Sequence, residues 1–167
     1  MATESMSHGG ASVSSAAVAR CLGPSEGEVV AIVGNHVRIL ADGAATGGRC
    51  LIIEEITPAG VGPPLHRHLR DDEYFFVTRG KYRFVMDGKE FIAEPGAFIA
   101  APRGSVHTFV NIGEGEGRML IVTSPPGLEK PFREVDAAWK RRDVTREQLG
   151  AIFVASGVEI VGPPMEV

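Results

Sequence analysis

Residues 62–80 read GPPLHRHLRDDEYFFVTRG. Two of the chain's five histidines, His66 and His68, stand one residue apart in it, and an acidic run follows. Glu73 to Thr78 is rich in aromatic and β-branched side chains, which predicts a strand, and Gly80 breaks it. Alternate side chains of an extended chain share a face, so His66 and His68 point one way and Arg67 the other. Two imidazoles held side by side can bind one cation, although His-x-His on a surface loop would carry little meaning. Glu73 has the parity of Phe75 and Val77, which read as core-facing. A carboxylate there is costly without a partner, and a cation held by the imidazoles would be one. The alternative is an exposed carboxylate at a strand end beside Asp71 and Asp72.

A second stretch, GAFIAAPRGSVHTFVN at 96–111, adds His107, in phase with Phe109 and Asn111 and so expected to face inward. Standing alone, it would read as a hydrogen-bonded core histidine. Around these stretches lie short β-like runs: Glu28 to Val33, His36 to Leu40, Cys50 to Thr57, Lys81 to Met86, Lys89 to Ala93, Ala97 to Ala101 and Arg118 to Thr123. Asp87-Gly88 between two apolar runs predicts a hairpin. Pro58-Ala59-Gly60, Glu94-Pro95-Gly96, Pro102-Arg103-Gly104 and Gly113-Glu114-Gly115 supply turns.

The chain has 167 residues, 21 glycines, 11 prolines and a net charge of −4. That suits one largely β domain with many turns. Residues 1–19 (Ser, Ala and Gly) predict a flexible tail. After Ser124-Pro125-Pro126, Phe132 to Trp139 has helical character. Thr145 and Gln148 form a capping box, with Leu149, Ile152 and Phe153 on one face and Gly157 as the stop. The organisation expected is a tail at 1–19, a barrel at 20–126, and a helical extension at 127–167 packing on the barrel or on a partner subunit. There is no basic stripe for nucleic acid, and no apolar run long enough to span a membrane. The N-terminus does not read as a secretion signal, and Cys21 and Cys50 lack metal or redox spacing. A cytoplasmic location is the default expectation.

Gly60, His66, His68, Glu73 and Gly80 have the spacing of a glycine, five residues, His-x-His, a short gap to a glutamate, six residues and a glycine. Gly96, Pro102, Gly104, His107 and Asn111 have the spacing of a glycine, five residues, Pro-x-Gly, two residues, a histidine, three residues and an asparagine. In both respects the chain resembles the cupins, and over 50–125 it is most similar to small single-domain cupins related to quercetin dioxygenases.

The resemblance implies an all-β fold, a double-stranded β-helix of the jelly-roll type, with the short helices appended. It implies that His66, His68, Glu73 and His107 hold one divalent transition metal ion: Fe, Mn, Ni, Co, Cu or Zn. Asn111 would support the fold. Four protein ligands would leave two positions on an octahedral ion for a substrate with neighbouring oxygens, or for one substrate oxygen and dioxygen. Glu73 would double as the catalytic proton acceptor.

Strand parity suggests Tyr82, Phe84, Met86, Phe75, Phe98 and Phe109 as pocket walls, although a β core is filled by such residues anyway. One of Glu54 and Glu55 must face inward or be paired, as a second acid–base group or at a surface edge. The expected function is a metal-dependent dioxygenase or related oxidoreductase acting on a small enolic, phenolic or diketone-like molecule. The alternatives are a non-redox metalloenzyme (isomerase, decarboxylase or lyase) and a non-catalytic binding cupin. Family resemblance also suggests a homodimer, with Tyr74 and Phe76 at an interface or against the facing sheet.

Overall fold

The structure is a computed structural model and describes residues 16–32, 34–142 and 144–167. Most of the expected tail, residues 1–15, therefore lies outside the described residues. In what remains of it, Val18 donates its N–H to Ala45 O.

Two antiparallel sheets face each other. The first contains β1 (Glu28–Ile32), β2 (Asn35–Ala41), β3 (Leu51–Thr57), β5 (Asp72–Arg79), β8 (Phe98–Ala101) and β10 (Gly117–Ser124). Its order is β1-β2-β3-β10-β5-β8. The second contains β4 (Pro64–His68), β6 (Tyr82–Met86), β7 (Lys89–Ala93), β9 (His107–Asn111) and β11 (Val158–Pro164), in the order β11-β4-β9-β6-β7.

Alternation builds the core between the sheets. Leu51, Ile53, Phe75, Val77, Met119 and Ile121 point inward from the first, and Tyr82, Phe84 and Phe109 from the second. Phe75 meets Phe84 edge-on at 5.5 Å and Phe109 at 6.0 Å between ring centres. Burying each such ring is worth about 1.5–3 kcal/mol.

Turn chemistry closes the strands as expected. Asp87 and Gly88, with φ of 47° and 76°, join β6 to β7 in the left-handed conformation that a tight hairpin needs. Gly80 has φ 91°, and a Cβ there would lie 2.8 Å from Gly117 Cα, so only glycine fits between β5 and β6. Asn111 donates Nδ2 to Thr57 O and Gly115 O, and its Oδ1 accepts from Gly113 N–H. It thereby pins the β9–β10 turn.

Two helices follow, α1 (Glu129–Arg141) and α2 (Arg146–Ala155). Thr145 and Gln148 form the capping box. Leu149 of α2 packs with Val135 and Ala138 of α1, and Ile152 and Phe153 pack against that cluster. Asp136 ties α1 to the first sheet by accepting from Ala31 N–H at 3.0 Å.

The extension is not purely helical, which corrects the sequence reading. Val158–Pro164 pairs with β4 as the outermost strand of the second sheet. Gly162-Pro163-Pro164 looks like a strand breaker, but an edge strand tolerates proline where no ladder donor is required.

Candidate metal centre

The four candidate ligands come from three strands. His66 and His68 share the inner face of β4, and His107 opens β9 directly opposite His66. Glu73, near the start of β5, reaches across from the other sheet, between Ala101 and Thr123 on its neighbouring strands. One donor atom from each of the four lies within 4.8 Å of all the others. His107 is 1% exposed, and His68 and Glu73 are also buried.

Hydrogen bonds fix the rings. His66 donates from Nδ1 to Pro64 O at 2.8 Å, His107 to Ser105 O at 3.1 Å, and His68 to Asp71 Oδ2 at 2.7 Å. Carbonyl and carboxylate oxygens only accept, so each Nδ1 carries the hydrogen, and a ring without a second proton offers an Nε2 lone pair. His107 Nε2 lies 3.0 Å and His68 Nε2 3.3 Å from Glu73 Oε2. Lone pairs and a carboxylate packed this closely repel unless a proton or a cation lies among them. Three imidazoles and one carboxylate suit a first-row divalent ion, so the residues present fit the group that the family spacing implies.

Electrostatics agree. Burial alone would raise the Glu73 carboxyl, but the imidazoles of His68, His107 and His66 outweigh it and hold the pKa at about 2. Burial, then the nearby His107, drive His66 down to about 3, so it stays neutral. His68 is also opposed by burial, yet Glu73 and Asp71 raise its pKa. His68 is therefore the ring whose proton competes with a cation.

The suggested pocket residues separate into three groups. Met86 is half-buried and sits opposite His107, and Phe75 meets the His107 ring edge-on at 5.8 Å. Tyr82, Phe84 and Phe109 are buried in contact with one another and with the core. Phe98 corrects the expectation: it is 65% exposed, on the outer face of the first sheet. The register sets Phe98 opposite the outward Phe76 and sets Ile99 opposite the inward Phe75. Phe98 stacks on Tyr74 at 6.2 Å.

Residues outside the sequence-based set also belong to this region. Asp71 orients His68, and its position three residues on is the signal that could have marked it. Phe91 stacks on Phe84 at 5.6 Å while staying 36% exposed. The Asp87-Gly88 turn, which fixes that register, could have placed it.

The glutamate pair on β3 resolves by parity. Glu54 faces outward to Arg38 at 2.9 Å and Arg118 at 3.4 Å. Glu55 faces inward, accepts from Asn35 Nδ2 at 2.6 Å, and has Val37 and Met119 beside it on the neighbouring strands. Burial, then the Glu73 charge, push Glu55 up to about 8 against the opposing Asn35 bond.

Residues 52–123 match the cupin domain family. Quercetin 2,3-dioxygenase of Bacillus subtilis is 30% identical over 95 residues, 57% of this chain and 28% of that protein. A protein named oxidoreductase iacF, from Pestalotiopsis fici, is 47% identical over 49 residues, 29% of this chain and 24% of its own length. The chain spans 60% or less of the length of the curated relatives it matches. Among solved structures, KdgF from Halomonas sp. superposes with a TM-score of 0.59 at 19% identity, over 65% of this chain and 94% of that one. With the spacing of both motifs, the facing sheets and the matched region in agreement, residues 52–123 form a cupin domain, with quercetin 2,3-dioxygenase as a distant homologue.

Proposed function

We propose that this protein is a metal-dependent dioxygenase acting on a small enolic, phenolic or diketone-like compound. One observation carries the reading: three Nε2 lone pairs and the Glu73 carboxylate converge inside the barrel with every Nδ1 already engaged. A first-row ion bound there supplies Lewis-acid stabilisation of enolate or phenolate oxygens and, when redox-active, the electron transfer that dioxygen chemistry needs. His66, His68 and His107 would present their Nε2 atoms as donors to the ion. Glu73 is ionised at neutral pH and positioned to accept a substrate hydroxyl proton. Phe75 and Met86, beside His107, give the surroundings an apolar character suited to a flat molecule. The dioxygenase and oxidoreductase relatives support the redox assignment.

Glu55 favours a second reading. An inward acid neutral up to about pH 8, electrostatically coupled to an ionised one, is the pairing that proton-transfer enzymes use, and a non-redox isomerase or lyase would need it. The test is elemental analysis of protein purified without added metal, with oxygen uptake measured on flavonols, catechols and β-diketones. Iron, manganese, nickel, cobalt or copper with stoichiometric oxygen consumption is the expected result. Zinc with anaerobic turnover replaces the first reading by the second, and tight binding without product leaves a binding protein. The proposed assembly is a homodimer that buries Tyr74, Phe76 and Phe98.

A further inference from the structure

The strand carrying two of the four ligands has fewer register pairs with the barrel strand β9 than with the C-terminal strand β11, although Asn111 N–H to Val61 O and Gly60 N–H to Asn111 O tie the segment just ahead of it to β9. β4 pairs with β9 at one position, His66 opposite His107. That side adds Gly104 N–H to His68 O at 2.7 Å and Thr108 Oγ1 to Pro63 O at 2.7 Å. On its other side, β4 pairs with β11 at four positions: Val158 with His68, Glu159 with Arg67, Ile160 with His66, and Pro164 with Pro64. Leu69 N–H donates to Gly157 O at 2.9 Å, and Arg67 forms an ion pair with Glu159 at 2.8 Å. Beyond β11, Arg83 of β6 donates to Glu166 O, so the extension is fastened at both ends.

Every one of these β11 residues lies outside the matched domain at 52–123. Unpaired, β4 would be a sheet edge with exposed donors and acceptors, free to fray. Fraying would displace both His66 and His68, because one backbone segment sets their separation.

We propose that β11 is a positioning element of the metal centre: its docking on β4 holds His66 and His68 in place against Glu73 and His107, so metal occupancy and β11 docking stabilise each other. This inference rests on the metal-centre reading above. Coupling of this kind is reciprocal, which makes it measurable from either side.

The probe is Zn²⁺ on the full chain. Bonding in an antiparallel pair alternates, so the Leu69–Gly157 bond implies that Glu159 N–H is also a ladder donor. Glu159→Pro removes that donor and the ion pair together. We expect it to weaken Zn²⁺ binding about tenfold or more, the cost typical of losing a group that orients a ligand, and to shrink the Zn²⁺-induced rise in Tm. Arg133→Ala, which deletes the α1 bonds to Glu28 and Asp42, serves as the control. It should lower Tm while leaving Zn²⁺ affinity within twofold, roughly the scatter of an uncoupled site.

In the wild type, hydrogen exchange at 158–161 should slow on adding Zn²⁺, more than at β7. If Glu159→Pro does not fold, Glu159→Ala and this wild-type exchange measurement decide the matter. Unchanged affinity in a folded β11 variant, or unchanged exchange at 158–161, overturns the coupling alone. Failure of the wild type to bind Zn²⁺ or any other first-row ion overturns the metal reading beneath it.

Discussion

Glu73 and Glu55 both face the interior from the same sheet, yet they carry opposite charge states at neutral pH. Glu73 sits among three imidazoles and is held at about 2, whereas Glu55 has only the Asn35 amide and rises to about 8. Both are penalised by burial, so the difference lies in what surrounds each carboxyl. An acid facing a barrel interior is thus not enough to identify a functional group. Glu73 belongs to a cluster of three imidazoles and one carboxylate that could hold a cation. Among the described residues, no basic side chain bonds to Glu55.

Substitution of a ligand should break the comparison most severely. His107→Leu removes one of the groups that outweigh burial at Glu73, so its pKa should climb from about 2 toward the behaviour of Glu55. In the wild type, the Glu73 contribution to stability is fully present above its unfolded value of 4.5 and is lost as pH falls through about 2. In the variant that acid-side contribution should shrink, and metal affinity should fall by more than about 100-fold. Chelator competition and pH-dependent unfolding measure the two effects.

Glu55→Gln sharpens the comparison from the other side. Folded Glu55 keeps its proton to about pH 8, while the unfolded group ionises near 4.5. The folded state therefore binds more protons across that window, and this group's contribution to stability declines as pH rises. Glutamine removes the decline. The metal-free variant should match the wild type near pH 4 and exceed it by about 1–3 kcal/mol at pH 8, in denaturant titrations. A flat difference between the two pH values would show that Glu55 ionises freely.

The smallest effect on folding is expected outside the barrel. Phe98→Ser should change stability by less than about 0.5 kcal/mol, because the ring is exposed. If the proposed homodimer buries that face, sedimentation should show a clear shift toward monomer.

How far the sequence discloses these features depends on what sets each one. The four-residue cluster and the β6–β7 hairpin are legible because fixed spacing and an Asp-Gly turn are local signals. The facing of Phe98 is not, because Ala97 to Ala101 is apolar throughout and alternation has no phase to read. The direction of Glu55 is undecided in a strand bearing two adjacent glutamates, until Arg38 and Arg118 claim the other one. The strand β11 is hidden because its conformation comes from pairing with a segment nearly a hundred residues away in the chain. Asp71 is visible as a residue, but its role depends on how the bend after His68 folds back.

The acceptors behind the three rings differ in kind. Those of His66 and His107 are peptide carbonyls of Pro64 and Ser105, present whichever amino acid occupies those sites. Only His68 leans on a side chain, that of Asp71. Inheritance can therefore vary the electron richness of one imidazole while the other two stay constant. Position 71 is therefore the place where a side-chain substitution would alter the orientation and basicity of one imidazole while leaving the backbone acceptors of the other two intact.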